Sequence, residues 1–157
     1  MAWAVAWRFN NELRNKMLEG ILSISGKGGL YKMVSQGKNS VIVESLQDGK
    51  RMPVGGMARV SSLHEISMYT RGGDVSLQSV MAGIYRAKGG KECLDGRTAS
   101  SEELRAFMDE VLPEWDSERV YVSDIRKLAT WYNILVGKGL VSGEEEKPEG
   151  EAEDKGE

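Results

Sequence analysis

The sequence predicts an α+β protein, with a small antiparallel β-barrel first and a compact three-helix domain after it. Two observations carry this. Between Ser25 and Val54 the chain reads SGKGGLYKMVSQGKNSVIVESLQDGKRMPV, short β-branched and aromatic runs punctuated three times by Gly-Lys. From residue 74 onward the apolar residues change to helical spacing, and capping residues open the runs.

The first half divides at its turns. The Gly-Lys pairs at 26–27, 37–38 and 49–50 are 11 and 12 residues apart, the length of a strand plus a turn. LYKMVS and SVIVESL lie between them and favour strands. QGKN and QDGK carry the Gly, Asn and Asp chemistry of tight hairpins. RMPV, ARV and ISMYT come next as further strands, with Gly55-Gly56 as a turn. Pro53 cannot donate to a ladder, so its strand is expected at an edge or at a bulge. Ser62 stands three residues before Glu65, the spacing of a capping box on one short helical turn. About five short strands in about 50 residues suggest a small barrel of the SH3-like kind, here residues 17–73. Met33, Met52, Met57 and Met68 read as soft core filler.

The helical domain is placed at 74–140. Leu77, Val80, Met81 and Ile84 recur at helical spacing, with Asp74 or Ser76 as the N-cap and Gly89-Gly90 as the stop. Ser100 and Glu103 form a second capping box ahead of Leu104, Phe107, Met108 and Val111, and Pro113 ends that helix. A third helix is expected to start at Ser123, with Ile125, Leu128, Tyr132 and Leu135 on one face and Trp131 widening it. Gly137 or Gly139 stops it.

Composition bounds the function. The chain has 157 residues and a net charge of −3. The segment from Glu144 to Glu157 holds eight acidic residues and two lysines, which leaves +3 on the remainder. Residues 141–157 are therefore expected to be a disordered acidic tail. It either solubilises the protein or shields a basic face. No apolar run approaches the roughly 20 residues of a membrane-spanning helix. MAWAVAW lacks the basic segment and the length of a secretory signal. With a single cysteine, Cys93, the expected location is the cytoplasm. Residues 1–16 match the pattern of the barrel domain poorly and are expected to be a poorly ordered extension, with Met17 as a competing start.

Chemistry is thin. No Gly-Lys pair has the spacing of a Walker loop, and no dinucleotide fingerprint comes after a strand. One His and one Cys cannot build the usual His/Cys zinc sites within one chain. His64 shares one tight turn with Ser61, Ser62 and Glu65, whereas a triad converges from separate elements. No cofactor, metal or catalytic residue is assigned. The candidate binding residues are Lys27, Lys32, Lys38, Lys50, Arg51 and Arg59, on hairpin tips or exposed strand faces. They would form a weak basic patch for nucleic-acid phosphates or a partner, and Tyr31 and Tyr69 could stack on bases. A DNA-reading helix pair using Arg126, Lys127 and Lys138 is disfavoured, because Glu102, Glu103, Asp109 and Glu110 cover the preceding helix.

These segments resemble an uncharacterised two-domain family known mainly from Bacteroidetes. The matching stretches are Ile21 to Asn39, Ile42 to Leu46, Lys50 to Arg51, Ile66 to Thr70, Glu103 to Phe107, Val111 to Pro113 and Arg119 to Leu135. The resemblance implies an SH3-like N-terminal barrel, a C-terminal helical domain and relatives that begin near Met17. It brings no activity with it. The chain departs from the family at VGGM, residues 54–57, and in its acidic tail. The role expected is a non-enzymatic binding or adaptor protein that engages protein partners. RNA or DNA binding through the basic patch is the alternative, and an enzyme with an unrecognised site is the third reading.

Overall fold

The structure, a computed structural model, describes Leu18 and residues 20–143. The expected extension at 1–16, the start at Met17 and the acidic stretch from Glu144 lie outside the described residues.

The fold is α+β. Strands β1 (Ile21–Ile24), β2 (Tyr31–Gln36), β3 (Ser40–Ser45), β4 (Arg51–Gly55) and β5 (Val60–Ser62) form one antiparallel sheet in the order β4-β3-β2-β1-β5. The turns form where their chemistry demands. In the β3–β4 turn the Asp48 carboxylate accepts the Lys50 N–H at 2.9 Å, and Gly49 takes a φ of 76°, which side chains resist. Pro53 sits opposite Ile42 on β4, an edge strand. The bulge is elsewhere, in β2 between Met33 and Ser35.

One strand placement differs from the sequence expectation. Residues Ser67–Thr70 (β6) do not join the five-stranded sheet. They pair with Gly73–Ser76 (β7) as a separate hairpin, and Ile21–Ile24 supplies the fifth strand instead. The cause is the 3-10 turn Leu63–Glu65, which buries Leu63 and redirects the chain after β5. The Ser62 side chain makes no capping bond there.

Three helices complete the described residues: α1 (Leu77–Ala87), α2 (Ser101–Val111) and α3 (Val122–Gly137). Ser76, rather than Asp74, caps α1 by accepting the Ser79 N–H. Both capping-box bonds at Ser100 and Glu103 form, and they hold the Glu103 carboxyl below its ordinary range. α3 begins one residue earlier than expected. The Asp124 carboxylate accepts the Tyr121 N–H at 3.0 Å, so Tyr121 acts as the N-cap position. Val141 is buried and the Gly143 carbonyl accepts from Arg86, so residues 141–143 continue the fold.

Side chains alternate across the sheet, and its two faces have different fates. Leu22, Ile24, Val43 and Val54 make a small cluster with Tyr31, Val41 and Met52 against it. Ile21 faces the other way. With Leu18, Leu30 and Leu63 it enters the main core, which also holds Met81, Ile84, Leu104, Met108, Leu128 and Tyr132 from the helices. The sheet and the helices therefore share one core. A sheet segment of this size is marginal by itself, and the helices add to the core that it enters.

Leu63 lies at the junction, with no exposure. Leu63→Ala should destabilise the protein by about 2–5 kcal/mol, the usual range for a deleted core leucine. Urea unfolding followed by tryptophan fluorescence and by far-UV circular dichroism should show one shared transition, shifted equally. Two separated transitions would show that the halves have independent cores.

Candidate binding groove

α3 is the wall on which the site is built. Its residues Ile125, Leu128, Ala129, Tyr132 and Leu135 are buried. Lys127, Thr130 and Trp131 lie toward the opposite side and border two hollows.

The first hollow, of about 240 Å³, lies between α3 and β6. Ile66, Met68, Leu77, Val120, Leu128 and Trp131 line it, and Tyr69, Arg119, Asp124 and Lys127 supply its polar part. The Arg119 guanidinium lies 4.0 Å from the centre of the Tyr69 ring, a cation–π contact. The edge of β6 matters here. Leu77 donates its N–H to the Ile66 carbonyl, so the hydrogen-bonded pairs of this hairpin are 66/77, 68/75 and 70/73. Ser67 and Tyr69 therefore turn their backbone groups away from β7. Residues 114–116 use the far end of that edge, with Asp116 N–H on the Tyr69 carbonyl (3.1 Å) and Arg71 N–H on the Glu114 carbonyl (2.8 Å). The chain then leaves the edge, because Asp116 starts a turn that accepts the Glu118, Arg119 and Val120 N–H groups. Among the described residues nothing bonds the Ser67 N–H and C=O or the Tyr69 N–H, which lie along the first hollow.

The second hollow, of about 340 Å³, lies between α3, the β1–β2 loop that carries SGKGG, and the loop at 96–97. Lys27, Arg97, Arg126 and Lys127 line it, with Ser23, Ser25 and Thr130, and among the described residues no carboxylate does. The geometry rests on how the loop from Lys91 to Ala99 is fastened to α3. Tyr132 donates its hydroxyl to the Lys91 carbonyl at 2.8 Å. Asn133 accepts the Cys93 N–H and donates to the Cys93 and Leu94 carbonyls. Arg126 Nη1 donates to the Gly96 and Ala99 carbonyls at 3.1 and 2.7 Å. Gly96 fits because a Cβ there would stand 2.4 Å from the Arg126 carbonyl oxygen.

The six candidate cations do not form one site. Lys27 lines the second hollow. Lys32 and Arg51 flank Glu44 in one row across β2, β3 and β4, and Arg51 Nε meets Glu44 Oε1 at 3.3 Å. Lys50 stands in the β3–β4 turn. Lys38 lines a separate hollow beside Met57 and Val60, and Arg59 lies on the β4–β5 loop. Lys27 meets its cationic neighbours from the helical half instead. Arg126 and Lys127 carried a signal in the sequence as a basic pair on a helix, whereas Arg97 and Trp131 had none pointing to this place. Lys138 lies beyond the end of α3. His64 stays within its 3-10 turn.

Residues 18–63 match the model of a domain of unknown function (DUF5606), and residues 66–135 match that of another (DUF6852). A protein from Bacteroides vulgatus, solved by solution NMR as a structural-genomics target, is 44% identical. The match covers 80% of this chain and 89% of that one, with a TM-score of 0.68. The chain belongs to the same family as that protein. The DUF5606 segment carries the five-stranded sheet and the DUF6852 segment carries β6, β7 and all three helices. They meet within the 3-10 turn, so the first hollow belongs almost wholly to DUF6852 and the second lies between the segments. No curated protein matches the chain. Among the described residues no helix is long and apolar enough to cross a membrane.

The loop fastening gives a pH prediction. Burial pushes the Cys93 thiol up to about 12, and burial likewise raises the Tyr132 phenol to about 12. Above their ordinary values the unfolded chain loses these protons while the fold keeps them. Stability is therefore complete below about pH 9 and falls as pH rises toward 12. Urea titrations across the alkaline range should show this fall, and Cys93→Ala should remove its earliest part. An unchanged profile in that variant would exclude Cys93 as a contributor.

Proposed function

We propose that this chain is a non-enzymatic binding protein that engages a protein partner by taking an extended peptide against the free edge of β6. The observation that carries this is the set of outward backbone groups on Ser67 and Tyr69 beside an apolar hollow. Strand addition uses such an edge for affinity and a neighbouring pocket for specificity. The hollow would take one large apolar side chain of the peptide. Arg119 and Lys127 at its rim favour a carboxylate next to that residue, with Asp124 disfavouring a second one close by.

In this reading the DUF5606 segment is a scaffold of the SH3-like barrel kind. A four-strand meander whose fifth strand returns to pair with β1 supports that reading. The two segments act as fused modules that share a core rather than as independent domains. The single cysteine, half-buried in the loop that fastens to α3, supports a cytoplasmic setting.

Ser67→Pro tests the reading with little damage to the fold. Proline removes the outward N–H of residue 67 and leaves the ladder to β7 intact. Ile66 already holds an extended conformation, with φ −81° and ψ 139°, as a residue before proline requires. Panning displayed random peptides against the full chain should select a large apolar residue beside an acidic one. Calorimetry with the selected peptide should then show about tenfold weaker binding to Ser67→Pro, the loss of one backbone hydrogen bond. Equal affinity with an unchanged unfolding midpoint, or a library that returns no binder, would sink strand addition.

A further inference from the structure

The second hollow carries an inference that does not depend on the peptide reading. We propose that the cleft between the SGKGG loop and α3 binds single-stranded nucleic acid, with backbone phosphates on its cations and a base against Trp131.

Charge is the first ground. Lys27, Arg97, Arg126 and Lys127 come from three separate segments and converge on one cleft that, among the described residues, no carboxylate lines. Residues 1–143 carry +3 in all, and four of their cations stand at this one cleft. Walls of low dielectric concentrate such a field, and polyanions are drawn to it. Four cations around about 340 Å³ can meet more than one phosphate, which favours a ligand with several anionic groups, as a nucleic-acid strand has.

Preorganisation is the second. Arg126 Nη1 is held by the Gly96 and Ala99 carbonyls, so its guanidinium is fixed at the cleft wall before any ligand arrives. An ordered arginine loses less entropy for each bond that it forms. Across the cleft, Gly26 and Gly28 have no heavy atom within 4 Å of where a Cβ would stand. A ligand backbone can approach that loop closely.

The third ground is Trp131. It stands on the same wall as Arg126 and Lys127 and borders both hollows. Alternating cations and aromatic faces are how proteins hold unpaired strands, since every base has a face to stack. A duplex turns its bases inward and offers Trp131 nothing to stack on. An acidic or phosphorylated peptide would use the cations but has no base to stack on the ring.

The test is fluorescence anisotropy of the full chain with labelled oligo-dT and oligo-U of about 12 nucleotides, the scale of a single-strand site. Binding should weaken steeply between about 50 and 200 mM salt, as counterion release requires. The double variant Lys27→Glu, Arg97→Glu alters two exposed loop side chains and should lose binding by more than about tenfold, as several phosphate contacts are reversed. Lys38→Glu, in the separate hollow, should bind like the parent chain. Trp131→Phe keeps a ring for stacking and should retain most of the affinity. Ser67→Pro should bind oligonucleotide normally, so this inference and the peptide reading fail separately. Oligonucleotide affinity that survives Lys27→Glu, Arg97→Glu overturns the assignment. So does an equal response to inorganic phosphate alone, to a duplex of the same length or to a phosphorylated peptide.

Discussion

β1 is short, only four residues, yet it is the strand that both clusters need. Leu22 and Ile24 point into the small cluster beneath the sheet, while Ile21 points out of it into the main core. A strand buried on both faces normally lies between two layers of helices or sheets. Here it sits second from one edge of a small sheet, with β5 beside it and the helices covering its other face. Loss of β1 would unpair β5, open the small cluster and remove Ile21 from the helices. The two segments are joined through that strand, and the second hollow, which the β1–β2 loop walls, keeps its shape only while the sheet is docked.

The second dependence is the Lys91–Ala99 loop. It has no regular structure, but side chains of α3 satisfy its backbone groups along its length: Tyr132 at Lys91, Asn133 at Cys93 and Leu94, Arg126 at Gly96 and Ala99. A loop fastened this way behaves as part of the helix face rather than as a connector. The raised thiol of Cys93 fits the same picture, since it is desolvated between the loop and the Ala129 carbonyl. Its place is structural, and its reactivity is suppressed.

Local chemistry made much of this legible in the sequence. The turns at Gly37 and Gly49, the edge position of Pro53, the capping box at Ser100 and the core stripes of all three helices arise from residue type and spacing. Other features were not legible: Met33 and Met57 read as core filler but are exposed, and Ser62 has capping-box spacing but makes no capping bond. ISMYT has strand composition but carries no information about its partner, and a buried leucine in a 3-10 turn decided that it pairs forward with β7. The candidate cations are neighbours in sequence along a β meander, yet successive hairpin tips point to opposite ends of a sheet. Lys27 and Lys38 consequently border different hollows. Arg97 and Arg126 are far from Lys27 in the chain, and only the docking of the loop onto α3 brings the three together. Contacts of that kind depend on tertiary packing, to which local patterns are blind.

The two hollows also constrain each other. Lys127 and Trp131 border both, on adjacent turns of α3. A strand-adding peptide that places a carboxylate on Lys127 neutralises one of the four cations of the cleft. A ligand stacked on Trp131 from the cleft side covers part of the apolar wall of the first hollow. Both effects have the same sign, and linkage makes them reciprocal. If both proposed ligands bind, the groove disfavours simultaneous occupancy at its centre, with Lys127 as the shared charge. An adaptor that bridged two ligands would have to hold them at the outer ends, one beside Arg119 and the other beside Lys27. Where the ligands extend past those ends they would not meet, and the competition would be confined to the two residues that both hollows share.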